Sequence, residues 1–277
     1  SGTVLISSDF GNTWNSHNYS SSINLTSASI SVSLSLTPPY YNFTFFACSS
    51  DGTIIKSSNN GLNWSSPQPI TSNSLNSIYF VDYNAFSNKI GITVGDNGAI
   101  YKTNDATLWS NRTIDTLHRV LNSVFLINNL IGWSVGDSST ILKTTNGGKI
   151  WKTKVENLVT PPVVCVYFFD SLFGFSVGDT RGMMYTTDGG ENWTTSYAPT
   201  SESFQYNEIS FFFINENIGW CSGENYFGNG WVWKSTDGGN TWTDKSDIGG
   251  SSVFFINQNV GWVVGDSGIL KSTDGGE

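Results

Sequence analysis

Apolar positions in this chain come in short bursts. Residues 122–128 (NSVFLIN), 131–137 (IGWSVGD) and 140–145 (TILKTT) are brief half-apolar runs rich in β-branched and aromatic residues, separated by Asn, Gly, Asp and Ser. Runs of this length and content predict strands, and the punctuation between them predicts tight turns. The same three phrases return as ISFFFIN, IGWCSGE and WVWKST within 209–236, and as SVFFIN, VGWVVGD and GILKST within 252–273. They are read as strands A, B and C of one repeating unit.

A fourth phrase closes each unit. SSDFGNTW (7–14), SSNNGLNW (57–64), TTNGGKIW (144–151), TTDGGENW (186–193) and STDGGNTW (235–242) share a hydroxyl residue, Asp or Asn, Gly and Trp. TNDATLW (103–109) is a copy shortened by one residue and lacking its Gly, and STDGGE (272–277) is a copy cut before its Trp. The carboxyl or amide of Asp9, Asn59, Asp105, Asn146, Asp188, Asp237 and Asp274 is placed to accept backbone N–H groups, while Gly supplies the positive φ of a tight hairpin. The Trp then opens strand D and buries a large ring between sheets. All seven of these acids and amides are therefore expected to be structural.

The tryptophans at 14, 64, 109, 151, 193 and 242 are spaced 50, 45, 42, 42 and 49 residues apart, the period of one four-stranded propeller blade. Strand bookkeeping gives 25 strands: two at the start, five sets of four and three at the end. The expected fold is an all-β propeller of four-stranded antiparallel blades, with seven blades favoured by the seven turn motifs and six as the alternative. Residues 1–277 are expected to form a single propeller domain belonging to a longer chain, with 15–42 as a Ser- and Asn-rich insertion within it.

The turn motif resembles the Asp box, or bacterial neuraminidase repeat, and the fuller phrase at 131–151 is similar to the repeat of photosystem II assembly-factor-like propellers and of secreted bacterial Asp-box proteins. The resemblance spans the chain and implies the propeller fold. It is nearly silent on function, because hydrolases, receptors and non-catalytic scaffolds share the motif. Sialidase chemistry in such a fold implies an arginine triad with a Tyr and Glu pair. Here the arginines number three, Arg112, Arg119 and Arg181, and Arg112 falls on an outer strand.

Composition narrows the remaining classes. Thirteen basic against 22 acidic residues leave a net charge of −9, which excludes the basic surface that nucleic acid requires. No apolar run reaches membrane-spanning length, so no membrane insertion is expected. Cys48, Cys165 and Cys221 form no CxxC pair, and His17 and His118 are the only imidazoles; neither a metal nor a cofactor is expected. Abundant Ser, Thr and Asn with little Lys predicts a secreted or cell-surface protein, with the sequons at Asn18, Asn24, Asn42 and Asn111 as candidate N-glycosylation sites.

Loops that interrupt the repeat are the natural place for binding. YAPTSESFQYNE (197–208) and ENYFGNG (224–230) carry Tyr197, Phe204, Tyr206, Tyr226 and Phe227, expected to gather on one rim as a surface for a protein or a glycan. The expected function is a non-catalytic interaction or structural module of an extracellular assembly, binding a protein or glycan at its extracellular face, copies of itself or other parts of a longer chain. The alternatives are a carbohydrate-active propeller, as glycoside hydrolase or glycan binder, and a receptor-like propeller for peptides or proteins.

Overall fold

The computed structural model describes residues 2–20, 23–34, 41–84, 88–114, 116–155, 162–178, 182–197, 206–225, 230–265 and 268–277. Among them are 25 strands in seven antiparallel sheets. β1 (Gly2–Ile6) and β2 (Asn15–Ser20) form a hairpin. Five four-stranded sheets follow: β3 (Leu25–Leu34), β4 (Tyr41–Ser49), β5 (Thr53–Ser57) and β6 (Gln68–Pro69); β7 (Leu75–Asn84), β8 (Asn88–Gly95), β9 (Ile100–Thr103) and β10 (Ser110–Asn111); β11 (Leu121–Leu126), β12 (Gly132–Gly136), β13 (Thr140–Thr144) and β14 (Lys152–Val155); β15 (Val163–Phe168), β16 (Gly174–Gly178), β17 (Gly182–Thr186) and β18 (Thr194–Tyr197); β19 (Tyr206–Phe213), β20 (Gly219–Asn225), β21 (Gly230–Ser235) and β22 (Thr243–Ser246). A three-stranded sheet of β23 (Ser252–Phe255), β24 (Gly261–Gly265) and β25 (Gly268–Ser272) completes the described chain.

Within each sheet the strands lie in chain order, the up-and-down meander of a propeller blade. Six sheets have three or four strands and are the blades; six, the alternative count from the sequence, is the number found. The chain divides into two compact units, Ser1–Gly136 with Ile141–Thr153 and Asp137–Thr140 with Lys154–Glu277.

Two devices join successive blades within each unit. The first is polar. The innermost strand of a blade has N–H groups that face away from its own sheet, and such donors need acceptors. In unit 1 the Ile78 N–H donates to Ser27 Oγ (3.3 Å), Phe80 N–H to Ser29 Oγ (3.0 Å) and Val124 N–H to Ser77 Oγ (3.3 Å). In unit 2 Val253 N–H donates to Ser210 Oγ at 3.3 Å. This device accounts for the stretch 15–42, which the sequence reading treats as an insertion. Much of it is strand, in β2 and β3, and the serines of β3 are the hydroxyls that the next blade requires.

The second device is aromatic. A strand-B ring of one blade stacks on a strand-A ring of the next: Phe46 on Phe80 (centroids 4.0 Å), Phe175 on Phe213 (4.9 Å) and Trp220 on Phe255 (3.6 Å). All six rings are buried, and each stack is worth about 0.5–1.5 kcal/mol beyond the area it hides. Against the side chain at this strand-B position, a ring or Ile92, sits the second glycine of the following turn motif. Gly148 has φ +77° and Gly239 φ +82°; a Cβ would stand 2.3 Å from Ile92 Cδ1 at the first and 2.4 Å from Phe175 Cζ at the second.

Gly148→Ala is therefore expected to lower unfolding stability by about 1–3 kcal/mol in urea titration. Adding Ile92→Val, which removes the clashing methyl, should recover part of that loss. A Gly148→Ala protein as stable as the wild type would contradict the seat assigned to this glycine.

Candidate functional site

The turn motifs show where the repeated acids are spent. In all seven, the Ser or Thr hydroxyl donates to the carboxylate or amide oxygen two residues on, at 2.8–3.1 Å. In six, the same hydroxyl accepts the N–H four residues on, as from Gly148 to Thr144 (2.9 Å) and Gly239 to Ser235 (2.7 Å). The shortened copy does this one residue early, Ala106 donating to Thr103 at 2.9 Å with Ala106 at φ +60°. The acid or amide oxygen then takes the N–H four residues on, or three in the shortened copy: Thr13 on Asp9, Asn63 on Asn59, Leu108 on Asp105, Ile150 on Asn146, Asn192 on Asp188 and Thr241 on Asp237. Asp9, Asn59, Asp105, Asn146, Asp188, Asp237 and Asp274 thus act in turn closure.

These bonds favour the ionised acid. The Thr13 hydroxyl on Asp9, the Leu108 N–H on Asp105 and the Asn192 N–H on Asp188 hold the three carboxyls at about 2, down from 3.8. Because the folded pKa lies below the unfolded one, the stability from these groups is present above 3.8 and is lost as the pH falls through about 2. The thermal midpoint should accordingly fall between about pH 4 and about pH 2. Asp9→Asn, Asp105→Asn and Asp188→Asn combined should flatten that fall, since Asn59 and Asn146 already close their turns without titrating. An unchanged acid profile in the triple variant would refute the assignment.

The aromatic rim is only partly described. Phe204, Tyr226 and Phe227 lie outside the described residues. The backbone places Tyr197 at the end of β18, opposite Gly182, and Tyr206 at the start of β19, opposite Asn225. That second pairing sets Tyr206 and Asn225 side by side at one end of the β19–β20 pair. Asn18, Asn24, Asn42 and Asn111 are all exposed; the Asn18 Oδ1 accepts the Thr3 hydroxyl (2.8 Å) and the Asn111 Oδ1 accepts the Thr113 N–H (2.7 Å).

The cysteines pack as small apolar residues. Cys48 and Cys221 are buried and Cys165 is partly so, all with free thiols. Burial pushes Cys48 and Cys165 up to about 11 and raises Cys221 as well. Cys165 stands at the strand-A position where Ser27, Ser77 and Ser210 occur in other blades, and its sulfur meets the Phe211 N–H as those hydroxyls meet theirs. None of the three should react with a disulfide reagent at neutral pH on the timescale of free thiol, and all three should react once the protein is unfolded. Rapid labelling of the native protein would contradict the burial.

Sequence reasoning did not find two further features. In unit 1 a groove of about 430 Å³ is walled by Phe46, Lys56, Asn59, Trp64 and Asp105, beside the shortened turn motif. A set of cations around Lys102 is the other, and the signal for it was present in the repeat alignment. Among the described residues no cluster of His, Cys, Asp and Glu could hold a metal, and no helix is long and apolar enough to cross a membrane.

The turn motifs and meandering sheets define a β-propeller built on Asp-box-like repeats. Residues 154–245, about a third of the chain, match the family described as photosynthesis system II assembly factor YCF48. Among solved structures the chain is similar to YCF48 from Cyanidioschyzon merolae (14% identity, TM-score 0.55, covering 98% of this chain and 99% of that one). It also resembles a chain of the mitotic checkpoint complex (11% identity, TM-score 0.71, 99% and 81%) and YCF48 bound to D1 peptide (16%, TM-score 0.49, 98% and 99%). A search of the curated proteins returns no match.

These findings correct one expectation. The match of residues 154–245 to a photosystem II assembly-factor family contradicts the secreted or cell-surface location read from composition. Ser, Thr and Asn abound here because turn motifs and blade contacts consume their side-chain oxygens, so their number says nothing about compartment.

Proposed function

We propose that this chain is a non-catalytic propeller that binds another polypeptide and holds it on a rigid face. The observation that carries this reading is the match of residues 154–245 to an assembly-factor family, a segment that includes both loops interrupting the repeat. The ionisation of the carboxyls agrees. A glycoside hydrolase needs one carboxylic acid kept protonated by a raised pKa. Among the described residues every carboxyl whose ionisation departs from normal is pushed down, by turn hydrogen bonds or by lysines.

The polypeptide is assigned to the end of the β19–β20 pair where the two loops emerge, with Tyr197, Phe204, Tyr206, Tyr226 and Phe227 as its aromatic contacts. Rings of this kind give large contact area at low entropic cost. A photo-crosslinking residue at Tyr206, with the protein produced in its own cell, should yield a discrete polypeptide adduct. The same residue at Asn240, in a turn motif of the same unit, should yield none. Absence of any adduct at Tyr206, or release of sugar from a glycan library by the purified chain, would defeat the reading.

A further inference from the structure

Equivalent positions of the repeat carry charges that answer one another in two places and fail to in a third. In unit 2 the strand-C lysine Lys234 and Lys245, three residues after Trp242, both donate to Glu277, the residue that follows the paired glycines of the next turn motif. The distances are 3.1 Å to Oε1 and 2.5 Å to Oε2. Lys154, three residues after Trp151, likewise meets Glu191 at the same motif position, at 2.6 Å. The repeat thus sets an acid of one motif against cations of the preceding blade.

In unit 1 the cations are present and the acid is not. Lys102 corresponds to Lys234, and Arg112, three residues after Trp109, corresponds to Lys245. The motif position of Glu277 and Glu191 is held by Lys149. The local geometry is kept: Lys102 Nζ lies 3.6 Å from the point where a Cβ would stand on Gly147, and Lys234 Nζ lies 2.9 Å from the matching point on Gly275.

Lys102 is only 4% exposed, and its amine has no hydrogen bond or ion pair among the described residues. Nor does it have the ring that helps its counterparts. Lys143, Lys234 and Lys271 lie 5.6–5.8 Å over Trp133, Trp220 and Trp262, whereas the cross-strand neighbour of Lys102 is Ile92. A buried cation without a partner is costly, and removing one member of an ion pair is what makes it so. Burial, with Lys149 and Arg112 beside it, holds the Lys102 amine below its ordinary pKa.

We propose that Lys102, Arg112 and Lys149 form a carboxylate-binding site, filled by an acidic side chain of the bound polypeptide where other blades supply their own glutamate. This rests on the polypeptide-binding reading and names the chemistry of its partner. Three cations that no acid among the described residues answers have a local charge fit for an incoming carboxylate.

The test is calorimetric titration with end-blocked tetraglutamate, end-blocked tetraglutamine and sodium acetate. Tetraglutamate should bind at least about tenfold more tightly than tetraglutamine. Lys149→Glu, which restores the acid found at Glu191 and Glu277, should weaken tetraglutamate by at least about tenfold and raise the thermal midpoint. Lys102→Met should weaken it as well, and should also raise the thermal midpoint because it removes a buried, unpaired cation. Equal affinity for the two peptides, unchanged binding by Lys149→Glu, or acetate binding as tightly as tetraglutamate would each overturn the proposal, the last by showing a site for small free anions. Failure here with the Tyr206 adduct intact would remove the carboxylate site alone; tetraglutamate binding without any adduct would remove the rim reading and leave this site.

Discussion

One hydroxyl, used in both directions, closes each blade. It donates to an oxygen two residues ahead and accepts an amide four residues ahead, or three in the shortened copy, fixing a turn that contains a left-handed glycine or its substitute. Everything outward and sideways depends on that closure. The first glycine of the pair donates back to the turn between strands A and B of its own blade, as Gly147 to Leu130 and Gly275 to Asn259, both at 2.7 Å. The second seats against the strand-B side chain of the preceding blade. A turn of about eight residues therefore links three places at once, and a chain poor in aliphatic residues holds its sheets together through repetition rather than through one large core.

Repetition made much of this legible. Strands A to D, their order in the sheet and the total of 25 strands follow from phrases such as NSVFLIN and IGWSVGD, because alternating apolar residues and turn residues act locally. The serines of β3 were not legible, because Ser27 and Ser29 look like loop residues until the next blade presents the N–H groups of Ile78 and Phe80 to them. Compartment was misjudged for the same reason: polar residues used as structural acceptors imitate the composition of a secreted surface.

The site was harder to read than the fold. Asp boxes draw attention through their acids, yet those acids face their own backbone and are held ionised by it. Deviations from the repeat carry more information than the repeat itself. The repeat is interrupted on both sides of the Tyr206–Asn225 pair, and a lysine stands at 149 where two other motifs have glutamate. The first deviation was visible in sequence. The second needed the ion pairs of Glu191 and Glu277 to show what that position does.

Amide hydrogen exchange in the native protein tests the central claim most directly. If the hydroxyl closure holds each blade, the N–H groups of Gly148, Gly190 and Gly239, which lie in turns between strands, should exchange as slowly as amides in the strands they join. Exchange at the rate of unprotected loop amides would show that the turns are open, and that the blades are held by something other than the bond on which this account rests.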